Sequence, residues 1–163
     1  MDKTKCRAKI RQTHENPSQS VAQTHTFTMN DLSPQKVPAR ARQIIRLWMG
    51  ENHPRTYDLQ TLATELITNA VSHGLGSMPT TRWIRMRVEH EASFIRLTVT
   101  DPGHSGTFPQ LGHPVNDPGP DDDDTAIETG RGLHIVHSIT AGSWGHYYNV
   151  QNERVVWALV PSR

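Results

Sequence analysis

The sequence lacks most of the features that place a protein outside an aqueous, reducing compartment. It carries one cysteine, Cys6, among 163 residues, which excludes a disulfide framework within the chain and suits the cytoplasm. No run approaches the roughly 18 consecutive apolar residues of a membrane span. The formal net charge is only +1, which does not indicate nucleic acid as a partner. We therefore expect a cytoplasmic location, with neither a membrane nor a nucleic acid bound directly.

Apolar residues are also scarce, at 34% of the chain, and the mean hydropathy is -0.62. This composition predicts one compact domain with substantial polar segments. Residues 1–23 are polar, basic in their first half and without an apolar period, and are predicted to be a disordered tail. A solvated tail and a nucleic-acid-binding arm are both compatible with that composition, although the near-neutral net charge disfavours the arm. The domain is predicted over residues 24–163.

Hydrophobic periodicity predicts the elements of this domain. Helical spacing occurs between Pro34 and Gly50, over 57–73 and over 132–141, and period-two alternation marks the strands. The predicted strands are an edge strand at 24–29, a pair at 84–89 and 94–100, and a closing hairpin at 147–150 and 155–160. This order predicts an α/β two-layer sandwich, with helices on one face of a mixed, mostly antiparallel sheet. Residues 101–130 hold five of the eleven glycines and five of the eleven prolines, which indicates a long functional loop.

The first candidate site motif is Glu65-Leu66-Ile67-Thr68-Asn69, in the second predicted helix. Glu65 and Asn69 are one turn apart on one surface of that helix, at the edge of its apolar stripe. An amide oxygen from Asn69 suits Mg²⁺, and Glu65 could accept a proton from a hydroxyl or from water, or hold a metal-bound water. The alternative is a polar helix edge without function, with Asn69 as a weak C-terminal signal.

The second motif is Asp101-Pro102-Gly103, directly after the strand at 94–100. A carboxylate at the carboxyl end of a strand is placed to accept hydrogen bonds from a ligand, and an exocyclic amine such as that of adenine would suit it. Gly103 would allow a close backbone approach. An ordinary Asp-Pro-Gly turn explains the same residues.

The third motif is Gly130-Arg131-Gly132-Leu133, where the long loop meets the third predicted helix. Two glycines before a helix leave backbone N–H groups free, and those groups together with the helix dipole favour phosphate. Arg131 could add a charge or simply face water. The pattern is neither the Rossmann nor the Walker motif, and alone it is a weak signal.

Together, and in this order, the three motifs resemble the ATPase superfamily of histidine kinases, gyrase-type ATPases, Hsp90 and mismatch-repair ATPases. Its short form is the group of anti-sigma-factor serine kinases. The stretches ELITNAVSHG, DPG, GRGLHIV and VVWALV resemble the small members of that group. The likeness extends over about residues 24–163.

The resemblance implies ATP and Mg²⁺ as cofactors and assigns a role to each motif. Asn69 would bind Mg²⁺ on the phosphates, and Glu65 would be the catalytic base or a water-orienting residue. Asp101 would accept a hydrogen bond from the adenine amine, with Gly103 beneath the base. Gly130, Arg131, Gly132 and Leu133 would meet the phosphates, and residues 104–129 would form an ATP lid.

The resembled kinases phosphorylate a serine on an anti-sigma-factor antagonist and bind a sigma factor, and they are usually dimers. We therefore expect those two partners, and a homodimer is compatible with the resemblance. Two departures bear on this expectation. Ser72 stands where the small members often carry arginine, and the lid contains the acidic run Asp121–Asp124, which would repel phosphates unless it faces water or a cation. The alternative is an ATP-sensing binding module with little or no kinase activity.

Overall fold

A computed structural model describes residues 21–29, 33–74, 83–103 and 124–163. The predicted tail up to residue 20, and most of the predicted lid, lie outside the described residues. In the described part of the chain, no helix has both the length and the apolar content to cross a membrane.

The described strands form one five-stranded sheet in the order β1-β2-β3-β5-β4. Their bounds are β1 Val21–Thr28, β2 Trp83–His90, β3 Phe94–Asp101, β4 Trp144–Tyr148 and β5 Arg154–Pro161. All four pairings between them are antiparallel, where the sequence predicted a mixed, mostly antiparallel sheet. The prediction that the first strand lies at an edge is confirmed.

In the residues that the structure describes, three α-helices cover one face of the sheet, which confirms the predicted two-layer sandwich. They are α1 Val37–Met49, α2 Thr56–Asn69 and α3 Asp124–Ile139. A 3-10 turn at Pro34–Lys36 precedes α1, and α2 continues into a π-helical turn at Ala70–Gly74. Helix α2 packs against both α1 and α3 and also contacts β3, so its residues lie at the centre of the helical layer.

The core lies between the helices and alternate residues of the three central strands. Ile84, Met86 and Val88 of β2 are fully buried, because every second side chain of a strand points to the same face. The corresponding residues are Ile95, Leu97 and Val99 on β3, and Val156, Ala158 and Val160 on β5. Burying an aliphatic side chain of this size contributes roughly 1.5–3 kcal/mol. This core fixes the position of α2 over the end of β3.

Three predicted boundaries were wrong. Strand β1 begins at Val21, so the last three residues of the predicted tail pair with β2. Strand β4 covers Trp144–Tyr148 rather than 147–150, because Asn149 begins the hairpin turn and its Oδ1 accepts the N–H groups of Gln151 and Glu153 at 3.0 and 2.9 Å. Helix α3 begins at Asp124, eight residues before the predicted start, and therefore includes the last part of the predicted lid.

Candidate functional site

The last turn of α2 and the middle of α3 enclose a cavity of about 240 Å³. Glu65 and Asn69 contribute to its lining from α2, and Gly132 and Leu133 contribute from α3. The remaining lining residues are Thr68, Ser72 and His73. The structure thus brings residues of the first and third motifs into one site, and Ser72 lies in it where the resembled kinases often have arginine.

Glu65 is half-buried at this cavity and lies directly against Gly132. A Cβ atom added at Gly132 would be 2.6 Å from Glu65 Oε2, so the carboxylate would have to move to make room for it. Burial raises the pKa of the Glu65 carboxyl above its ordinary value of 4.5, because desolvation disfavours the charged form. A carboxylate with a raised pKa beside an open cavity is a suitable proton acceptor.

Asn69 is the last residue of α2, immediately before the π-helical turn. Single turns of π-helix are found frequently at functional sites. The Nδ2 atom of Asn69 is buried and has no hydrogen-bond partner in the part of the chain that the structure describes. A buried donor without an acceptor costs about 1–3 kcal/mol, so an oxygen atom of a ligand would relieve this cost.

Asp101 ends the central strand β3 and is fully buried. Its Oδ1 atom accepts a hydrogen bond from the Gly103 N–H at 2.9 Å. Gly103 has a φ of +74°, and a Cβ atom there would be 3.0 Å from the Asn152 carbonyl oxygen. Both the backbone conformation and the contact favour glycine at this position.

Arg154 is a member of the site that sequence reasoning missed. Its Nε and Nη2 atoms lie 3.0 and 2.9 Å from Asp101 Oδ2, and the side chain is 1% exposed. Burial raises the pKa of the Asp101 carboxyl, and the Arg154 guanidinium and the Gly103 N–H oppose that rise. The sequence did contain a signal that Arg154 is buried. In the alternation of its strand, Arg154 falls on the same face as the buried Val156, Ala158 and Val160.

The third motif differs from its prediction. Gly130, Arg131, Gly132 and Leu133 all lie inside α3 rather than before a helix. Within a helix each N–H bonds to a carbonyl four residues earlier, so the two glycines do not present free N–H groups. The helix tolerates them at about 1 kcal/mol each, and Gly132 allows α3 to approach Glu65. Contact of these residues with phosphate stays a prediction.

The chemistry of the site fits Mg²⁺ bound together with a phosphorylated ligand. Asn69 offers an amide oxygen and Glu65 a carboxylate, and hard cations of this kind prefer oxygen ligands. Among the described residues, no group of three acidic, histidine or cysteine side chains could hold a metal ion alone. A cation here would therefore complete its coordination with ligand oxygens and water.

The two-layer sandwich, with the Glu–Asn pair on α2 and a buried aspartate at the end of β3, agrees with the ATPase-type fold that the sequence predicted. Residues 31–158 match the family described as the histidine kinase-like ATPase domain, and the chain belongs to that family. No curated protein has significant similarity to the chain. Family membership supports ATP binding and a regulatory role.

Proposed function

We propose that this chain is an ATP- and Mg²⁺-dependent protein serine kinase that acts on an anti-sigma-factor antagonist and also binds a sigma factor. The proposal of kinase activity is supported by the position of the Glu65 carboxylate. This carboxylate lies against Gly132 and one turn from Asn69 in the same cavity. The partners and a homodimer rest on the resemblance to the anti-sigma-factor serine kinases, and a cytoplasmic location rests on the single cysteine and the lack of a long apolar run.

In this proposal each residue acts at a different part of the nucleotide. Asp101 accepts a hydrogen bond from the adenine amine, and Asn69 contributes its amide oxygen to the metal site. Mg²⁺, when bound, neutralises charge on the phosphates. Glu65 accepts the proton of the serine hydroxyl. The serine oxygen bonds to the terminal phosphorus of ATP, the bond between that phosphorus and the bridging oxygen breaks, and ADP leaves. The raised pKa of Glu65 makes it a stronger proton acceptor than an exposed carboxylate.

A second function, ATP sensing without phosphate transfer, is favoured by the pairing of Asp101 with Arg154. Because Arg154 lies on β5 and also approaches the end of α2, nucleotide binding at Asp101 would change a contact that joins the two layers. A change of this kind could alter a protein-binding surface without any chemistry.

The experiment that separates these functions captures partners on the purified chain with and without Mg-ATP and then maps phosphorylated sites. The test variant is Glu65→Gln, and the matched control is Glu91→Gln, since Glu91 is exposed in the β2–β3 turn. A serine kinase gives phosphoserine on the captured partner with the wild type and the control, but not with Glu65→Gln. A partner that is retained only with ATP and never modified supports the sensing module. A chain that binds no ATP contradicts both.

A further inference from the structure

A buried guanidinium lies between the two residues proposed to hold opposite ends of the nucleotide. Arg154 contacts Asp101, the proposed adenine contact, and its Nη2 atom is also 3.5 Å from the backbone oxygen of Asn69. Asp101 is not among the described residues that line the cavity next to Glu65 and Asn69. The cavity beside Glu65 and Asn69 is therefore open, while the carboxylate of Asp101 is buried against Arg154.

The hydrogen bonds at Asp101 occupy both lone-pair sites of Oδ2 and one of the two on Oδ1. A carboxylate oxygen has two lone-pair sites, and Arg154 directs both Nε and Nη2 to Oδ2, at 3.0 and 2.9 Å. The other oxygen, Oδ1, receives the Gly103 N–H. The whole residue is 0% exposed. An adenine amine could reach Oδ2 only after at least one of the Arg154 contacts has opened.

We propose that Arg154 is a specificity-determining residue that closes the base end of the site in the nucleotide-free chain and releases Asp101 when an adenine nucleotide binds. This inference rests on the proposed function, because it takes Asp101 as the base contact. The exchange replaces a guanidinium–carboxylate contact with an amine–carboxylate contact. Only a nucleotide whose base carries an amine at the position that faces Asp101 gains affinity from this exchange. A base with a carbonyl there presents an acceptor to the freed carboxylate and gains nothing.

The first test measures the affinities of ATP and of inosine triphosphate, which has a carbonyl in place of the adenine amine. Arg154→Met removes the guanidinium and keeps an unbranched side chain of similar shape. ATP affinity should rise about ten- to hundredfold, the factor that corresponds to one charge-assisted hydrogen bond. The affinity for inosine triphosphate should rise less, so the ratio of the two affinities increases.

Two further variants make this test specific. Arg87→Met is the matched control, because Arg87 also pairs with a carboxylate, that of Glu89 at 2.8 Å, but lies on the exposed face of β2. It should leave both affinities unchanged. Arg154→Lys retains the charge with a single contact point and should give an intermediate affinity. It also replaces Arg154→Met if the uncompensated Asp101 prevents that variant from folding.

The second test uses the wild-type chain and nuclear magnetic resonance of arginine side chains. The Arg154 Nε–H should give a slowly exchanging signal in the free chain, because the group is buried and bonded to Asp101. The signal is assigned by its absence from Arg154→Lys. At saturating Mg-ADP the signal should shift and exchange faster with solvent, because Asp101 then accepts a hydrogen bond from the adenine amine in place of one from Arg154.

The outcomes are distinct. If the wild type binds ATP, but neither Arg154 variant changes the ratio of the two affinities and the Nε–H signal is unaffected by Mg-ADP, the inference is overturned and the proposed function stands. If neither the wild type nor the variants bind ATP with Mg²⁺, the proposed function itself fails, and the inference fails with it.

Discussion

Replacing Gly132 with alanine is the change that acts most locally on the candidate site. The added methyl group would lie 2.6 Å from Glu65 Oε2, while the Cδ and Cβ atoms of Glu65 are 3.6 and 3.8 Å away. Only the end of a flexible side chain is in the way, so the carboxylate would move and the helices would not. To restore an ordinary contact of 3.4 Å, the carboxylate has to retreat by somewhat less than 1 Å.

The expected effects on stability and on turnover have opposite signs. Alanine is preferred to glycine in a helix interior by about 1 kcal/mol, so the melting temperature of Gly132→Ala should be equal to that of the wild type or higher. A displacement of about 1 Å in a catalytic group can lower the rate about 10²-fold. Phosphate transfer, or basal hydrolysis if no substrate is at hand, should therefore fall while ATP affinity changes little.

The matched control is the same substitution in a Glu65→Ala background, where no carboxylate is present to be displaced. There Gly132→Ala should cause no further loss of turnover, and its stabilising effect should be larger. Wild-type turnover in the single variant would refute the argument that Gly132 sets the position of Glu65. A melting temperature that falls by many degrees would show that backbone, and not the carboxylate, has to move.

Three other predictions concern ionisable groups. Asp101→Asn should lower the free energy of unfolding in urea by about 3–5 kcal/mol, because Arg154 keeps a buried charge without its partner; an unchanged value would contradict the buried ion pair. Since burial raises the pKa of Glu65, the acid limb of the wild-type pH–turnover profile should lie above pH 4.5; an acid limb at or below pH 4.5 would contradict the role of Glu65 as the base. Burial and His53 lower the pKa of His90 from 6.5, so the unfolded chain binds more protons. Melting temperature should then decline as pH falls below 6.5, and less steeply in His90→Gln.

The sequence predicted the layers of the fold because the apolar patterns are strong and local. Alternation in β2 and β3 and the helical stripe of α2 each correspond to a buried face. The start of α3 could not be predicted in the same way, because Gly130 and Gly132 are typical of helix ends and only the contact with Glu65 explains a glycine within the helix. The hairpin turn at Asn149 depends on side-chain hydrogen bonds that no apolar pattern reveals.

The candidate site shows a similar division. The motifs singled out Glu65, Asn69 and Asp101, which lie near the ends of well-predicted elements, and the roles of these residues stay predictions. Arg154 was missed because a charged residue at a strand end is usually exposed, and its partner lies 53 positions away in the sequence. Only the pairing of β3 with β5, which sets Asp101 opposite Arg154, brings the two side chains together.

The central claim is that Asn69 and Glu65 bind Mg-ATP and act on it in different ways. Calorimetric titration of ATP, with and without Mg²⁺, tests it in the wild type, in Asn69→Ala and Glu65→Ala, and in the control Asn52→Ala, since Asn52 is exposed between α1 and α2. We expect Asn69→Ala to abolish the Mg²⁺-dependent part of the ATP affinity, whereas Glu65→Ala and Asn52→Ala keep it. Equal Mg²⁺-dependent binding in Asn69→Ala and the wild type would contradict the account.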